Sequence, residues 1–131
     1  MTLLSTAAQN ASLDFSYGAN KAATAPSSHT LHLFVGDPAT TGVELATGGG
    51  WSPPTITNSG TNWPAAVAGQ KTSAPVVLPT SSDAWSGVAT HWLLRAGSVD
   101  WDSGELGEEI DIQQAGVTKT ITLTVYYGSG I

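Results

Sequence analysis

The sequence contains no cysteine, and only four of its 131 residues are basic: Lys21, Lys71, Arg95 and Lys119. Without thiols there is no disulfide frame, thiolate nucleophile, iron–sulfur ligation or zinc finger, so any chemistry falls to oxygen and nitrogen groups. Four scattered cations cannot neutralise a run of phosphates, which argues against nucleic acid as a partner. No apolar run reaches the roughly 18 residues of a membrane span, and Met1-Thr2-Leu3-Leu4 lacks the basic and long apolar regions of a signal peptide. The expectation is a protein made and assembled in a cytoplasm, with no membrane partner. Fixed-period repeats and coiled-coil heptads are missing as well, which excludes solenoids, propellers and fibre shafts.

What is present is 15 glycines, seven prolines, five tryptophans and 40% hydrophobic residues at a net charge of -6. A chain this long buries about two-thirds of its unfolded surface, enough for one core without staples. A single domain over 1–131 is expected, with an N-terminal arm and short helix over 1–16 and a β-sandwich over 29–127. Thr6-x-x-Gln9 fits a capping box, and Ala7, Ala8, Ala11 and Phe15 recur at helical spacing, predicting a helix over 5–16. It would either close one end of a sheet or dock on a partner.

Strand signals fill the rest. Thr30 to Val35 alternates, with Leu31, Leu33 and Val35 on one face and Thr30, His32 and Phe34 on the other. Residues 36–50 carry Gly-Asp-Pro, Thr-Thr-Gly and three consecutive glycines, which predicts a long excursion in place of a tight hairpin. Further strands are expected over 55–57, 72–78, 88–95, 99–101 and 109–112. Over 118–127 threonines alternate with Lys119, Ile121, Leu123, Val125 and Tyr127. About seven or eight short strands between turn residues, with one short helix, predict an all-β antiparallel sandwich, the jelly roll being one arrangement of it.

Chemistry-bearing residues are few. No Gly-x-Ser-x-Gly frame is present. His29 and His32 sit three apart on a strand, on opposite faces, so they do not share a metal, and His91 reads as a half-buried, hydrogen-bonded imidazole. No cofactor or metal is expected. Asp100, Asp102, Glu105, Glu108, Glu109 and Asp111 form the densest acidic run. Asp100-x-Asp102-x-Gly104 has the opening spacing of a calcium loop without its closing glutamate, and a glycosidase would need two of these acids across a cleft. A solvated acidic rim accounts for the run without either. Trp85 and Trp92 fall in core positions, whereas Trp51, Trp63 and Trp101 are candidates for an exposed sugar-stacking platform or a protein-contact hot spot.

Leu31-His32-Leu33-Phe34-Val35-Gly36-Asp37-Pro38, Thr41-Gly42-Val43-Glu44, Gly48-Gly49-Gly50-Trp51, Val77-Leu78-Pro79, Trp85-Ser86-Gly87-Val88 and Thr90-His91-Trp92-Leu93-Leu94 follow one another along the chain. In this order they resemble a family of small tailed-bacteriophage structural proteins, often labelled tail fibre proteins. One departure is Trp51-Ser52-Pro53, where members commonly carry Tyr followed by Ala-Arg. The resemblance implies a non-enzymatic β-sandwich of the virion, with no motif that assigns a catalytic or ligand residue. The expected role is a capsid decoration protein on the mature head lattice. Its partner would be the major capsid protein, in a homo-oligomeric arrangement, with trimers around local three-fold positions as the expected form. The expected lattice contacts are Thr2, Leu3 and Leu4 in the arm, and Asp37, Pro38, Gly48, Gly49, Gly50 and Trp51 in the loop, both ordering upon binding. The alternative is a tail fibre or tail-tip component that binds carbohydrate or a receptor through Trp51, Trp63 and Trp101.

Overall fold

The computed structural model describes residues 6–17 and 26–126. The chain is all-β with one short N-terminal helix, α1 (Thr6–Tyr17). The strands are β1 (Ser28–Val35), β2 (Val43–Glu44), β3 (Thr55–Thr57), β4 (Gln70–Thr72), β5 (Val76–Val77), β6 (Ala89–Ala96), β7 (Val99–Ile110), β8 (Thr120–Ile121) and β9 (Thr124–Tyr126). Every pairing is antiparallel. The main sheet runs β2-β1-β6-β7, with β3 beside β2 on the same flank of β1. The second layer is a narrow ribbon in two pieces, β4 with β9 and β5 with β8. Among the described residues the strands do not form the two four-stranded sheets of a jelly roll.

The alternation of β1 and β6 builds the core. Leu31 pairs with Leu94 and Leu33 with Trp92, and all four are buried, with Leu78 and Leu123 meeting them from the ribbon. Residues directly opposite in an antiparallel pair share a face, so these form the inner face. On the outer face His32, Phe34 and Leu93 are buried too. The sheet is covered on both sides at its centre, and α1 lies against β7 with Ala8 fully buried. Val35, on the same strand face as Leu31 and Leu33, reaches the sheet edge and is 42% exposed.

Four segments differ from expectation, the first being the single strand expected over 118–127, which is split into β8, paired with β5, and β9, paired with β4. Residues 36–42 form a turn that returns the chain so that Val43 pairs with Val35, giving a hairpin inside the predicted excursion. The single strand expected over 72–78 is broken between Thr72 and Val76, where Pro75 cannot donate to a ladder. The two short strands expected within 99–112 are one twelve-residue strand, β7. It is joined to β6 by the two-residue turn Gly97-Ser98, with Gly97 at φ 60°, as a primed hairpin turn requires.

Gly104 lies opposite Trp92 on the inner face, and the indole occupies the space where a side chain would stand. A Cβ there would come within 2.8 Å of the ring, whereas one on Gly107 would meet nothing. Gly104→Ala is therefore expected to destabilise the chain by about 1–3 kcal/mol, and Gly107→Ala to stay within about 0.5 kcal/mol of the parent. Urea unfolding of both variants measures the difference, and equal stabilities would refute the packing of Trp92 over Gly104.

Candidate functional site

β6 and β7 fall out of simple register at two steps, between Ala89 and His91 and between Leu94 and Arg95, and the second shapes the site. Leu94 pairs with Asp102 but Arg95 pairs with Asp100, so Trp101 is an extra residue in β7, a β-bulge. Regular alternation would put Asp100 and Asp102 on one face. The bulge instead leaves Asp100 outside with Arg95 and turns Asp102 inward beside Leu94. The two acids cannot flank a glycosidic bond together, and the calcium-loop spacing is stretched along a strand. Glu105 sits 3.9 Å from His91, Glu108 and Glu109 are exposed, and Asp111 accepts from Gln113. Among the described residues no three metal-ligating side chains cluster.

On the outer face Arg95 Nε donates to Asp100 Oδ1 at 2.7 Å and its Nη1 to Glu44 Oε1 at 3.2 Å. His32 Nδ1 lies 3.3 Å from Glu44 Oε2, and its Nε2 lies 2.8 Å from the Thr30 hydroxyl. The network ties β1, β2, β6 and β7 together. Burial lowers the His32 pKa more than Glu44 raises it, so the imidazole is neutral at pH 7 and its contact with Glu44 is a hydrogen bond. His91, as expected, is half-buried and hydrogen-bonded, here with Thr90.

Inside, between the sheet and the β4–β9 ribbon, lies a cavity of about 380 Å³. Trp63, Trp101, Leu94 and Val125 give it apolar walls, and His29, Asn58, Lys71 and Asp102 bring polar groups. The His29 and Trp101 rings meet edge to face at 5.7 Å. Asn58 holds His29: its amide nitrogen lies 2.9 Å and its carbonyl oxygen 3.2 Å from Nδ1, and the amide also donates to the Pro26 carbonyl at 2.8 Å. The tautomer of the ring sets which of the two Asn58 atoms is the partner. His29 Nε2, Trp63 Nε1 and Asp102 Oδ2 are buried with no hydrogen-bond partner among the described residues, as is Trp51 Nε1 away from the cavity. Asp102 is 2% exposed, and its other oxygen accepts from the Ser103 amide at 2.8 Å. Burial outweighs that bond and pushes its carboxyl up to about 7.

The tryptophans expected to be exposed divide differently. Trp51 is 1% and Trp63 8% exposed, so neither is an open platform. Trp51 packs on Trp85 with ring centroids 5.1 Å apart, away from the cavity. Trp63 and Trp101 are brought together at the cavity wall. Nor is the glycine-rich loop waiting to order. Gly49 (φ 60°) and Gly50 (φ 86°) press the backbone against residues 80–84, where a Cβ would come within 2.5 Å of the Ala84 carbonyl or 2.6 Å of the Thr80 carbonyl. The Gly49 carbonyl accepts from the Ser82 amide at 2.8 Å and from Trp85 Nε1 at 3.1 Å. Gly49, Gly50 and Trp51 thus form a clamp on residues 80–84, with Trp51 buried, Gly49 half-buried, and Gly48 and Gly50 exposed. Asp37 is exposed and fixes its own turn: its carboxylate accepts from the Ala39 amide and its carbonyl from Thr40 and Gly42, with Pro38 half-buried between. Beside this turn Val35 and Val43, a cross-strand pair, are 42% and 66% exposed. Thr2, Leu3 and Leu4 lie outside the described residues.

The role of Asp102, His29 and Asn58 escaped the sequence reading, because an inward acid opposite Leu94 is visible only once the bulge is known. The chain matches no protein-family model, no curated protein and no solved structure. Among the described residues no helix is long and apolar enough to cross a membrane.

Two predictions follow from the clamp and the buried acid. Gly49→Ala, forced into a left-handed conformation against a carbonyl, should lose at least about 1 kcal/mol in urea unfolding; an unchanged midpoint would contradict the clamp. Asp102 titrates higher folded than unfolded, where its value is 3.8, so its contribution to stability is complete below that value and is lost as pH rises through about 7. Asp102→Asn keeps the bond to Ser103 and removes the titration. Its Tm relative to the parent should therefore rise between pH 4 and pH 8, and a constant difference would show that the acid is not buried as described.

Proposed function

We propose that this chain is a non-enzymatic structural subunit of a tailed-bacteriophage virion, docked in many copies on the mature head lattice as a decoration protein. The order of motifs from Leu31 to Leu94 that resembles the phage structural family supports the virion context. The observation that carries the docking is the exposed Val35–Val43 pair beside the turn fixed by Asp37. This apolar patch is held by backbone hydrogen bonds before any partner arrives, so binding loses little conformational entropy. β2 is only two residues long, and its Glu44 is tied to Arg95, so the edge offers side chains to a partner more than an open ladder. The partner is the major capsid protein, and the subunit stabilises the lattice by binding the assembled form alone. Copies arranged as trimers around local three-fold positions fit the symmetry of such a lattice. Asp37, Pro38, Val35 and Val43 are the contacts; Gly49, Gly50 and Trp51 belong to the clamp.

A second reading, a tail fibre or tail-tip component that binds carbohydrate, is favoured by one observation: Trp63 and Trp101 line a common cavity with hydrogen-bonding groups.

Immunogold microscopy of tailed-phage particles whose genome encodes this chain tests the location. Gold spread over the head is expected; gold at the tail alone would transfer support to the second reading, and unlabelled particles would overturn both. On labelled heads, Val43→Asp should reduce bound copies about tenfold with its unfolding midpoint unchanged, since a single well-placed apolar contact is worth about 1.4 kcal/mol or more.

A further inference from the structure

Three residues at the wall of the 380 Å³ cavity each carry a buried polar atom without a partner among the described residues: His29 Nε2, Trp63 Nε1 and Asp102 Oδ2. Buried polar atoms in folded proteins are nearly always satisfied, and a set of three at one cavity points to a ligand that satisfies them. We propose that this cavity is a binding site for a neutral saccharide of one or two rings.

The ligand class follows from the donors and acceptors. Trp63 Nε1 is a donor, His29 Nε2 donates or accepts according to the tautomer that Asn58 selects, and Asp102 Oδ2 accepts when ionised and donates when protonated. A hydroxyl donates and accepts at once, so adjacent hydroxyls on one ring match a mixed set that neither a simple anion nor a simple cation matches. Trp101, half-buried and braced by the His29 edge at 5.7 Å, presents indole surface for the C–H face of a pyranose. Leu94 and Val125 keep the remaining wall apolar. An organic ammonium would suit Asp102 and the indoles, but Lys71 on the same wall repels it. The volume falls within the range of small-ligand sites, from about 300 Å³ upward.

This inference deepens the second reading of the function, supplying its site, and is independent of docking through the Val35–Val43 edge. Particle labelling reports where the chain sits; the following titration reports whether the cavity binds, so the two fail separately. Full-length chain is titrated with glucose, galactose, mannose, N-acetylglucosamine and lactose, and with tetramethylammonium as the cationic probe. Saturation-transfer NMR and tryptophan fluorescence are the readouts. At least one saccharide is expected to saturate with a Kd in the millimolar range or tighter, corresponding to about 4 kcal/mol or more. Trp101→Ala and Asp102→Asn should each weaken it about tenfold, with Trp85→Phe, at the distant clamp, leaving it unchanged. Trp101 is partly exposed, so its variant keeps the test valid if Asp102→Asn fails to fold. Absence of saturation by every saccharide, binding unaffected by the cavity variants, or binding of tetramethylammonium alone would overturn the proposal.

Discussion

The extra residue in β7, at the step where Leu94 faces Asp102 and Arg95 faces Asp100, divides the chemistry of this molecule between its two faces. In a strand the side chains alternate strictly, so two acids separated by one residue belong together unless the ladder slips. Between these two it slips. Asp100 goes outward to Arg95, which also holds Glu44 and through it the edge strand β2. Such half-exposed ion pairs each contribute about 0–1 kcal/mol, but this network brings four strands to one point and fixes the edge on which Val43 sits. Asp102 goes inward, loses its water, and gives the cavity its only carboxylate among the described lining residues.

The tryptophans follow a similar division. Trp51 and Trp85 close against each other and against the backbone of Gly49 and Gly50, and that contact converts a glycine-rich stretch into a fixed support. Trp92 fills the space above Gly104 in the middle of the sheet. Trp63 and Trp101 stand where the sheet and the ribbon separate, at the cavity. One aromatic pair thus contributes rigidity and another a recessed surface. The proposed docking edge lies outside this cavity lining, so the two proposed contacts would use different side chains.

Much of the fold was legible from periodicity. β1, β3 and β6 fall close to their expected places, and the expected inward set Ile121, Leu123 and Val125 does pack on the core, because a period of two with β-branched residues has few other solutions. β7 was hidden because Gly104, Gly107 and five acids interrupt its alternation, although Gly97-Ser98 between apolar runs was a hairpin signal that could have joined its start to β6. Pro75 marked the break between β4 and β5. The exposure assigned to Trp51 and Trp63 failed for a definite reason: loop composition was taken as distance from the core, whereas glycines at positive φ allow a loop to lie flat upon it. The cavity was half legible. Trp63 and Trp101 were singled out, but their meeting with His29 and Asp102 depends on long-range register that no local pattern encodes.

The bulge at Trp101 separates the two acids, and cross-strand NOEs in an isotopically labelled sample test it most directly. Paired contacts of Leu94 with Asp102 and of Arg95 with Asp100 are expected. Contacts of Arg95 with Trp101, the partner that an unbroken register would give it, would return both acids to one face and contradict the division of the site described above.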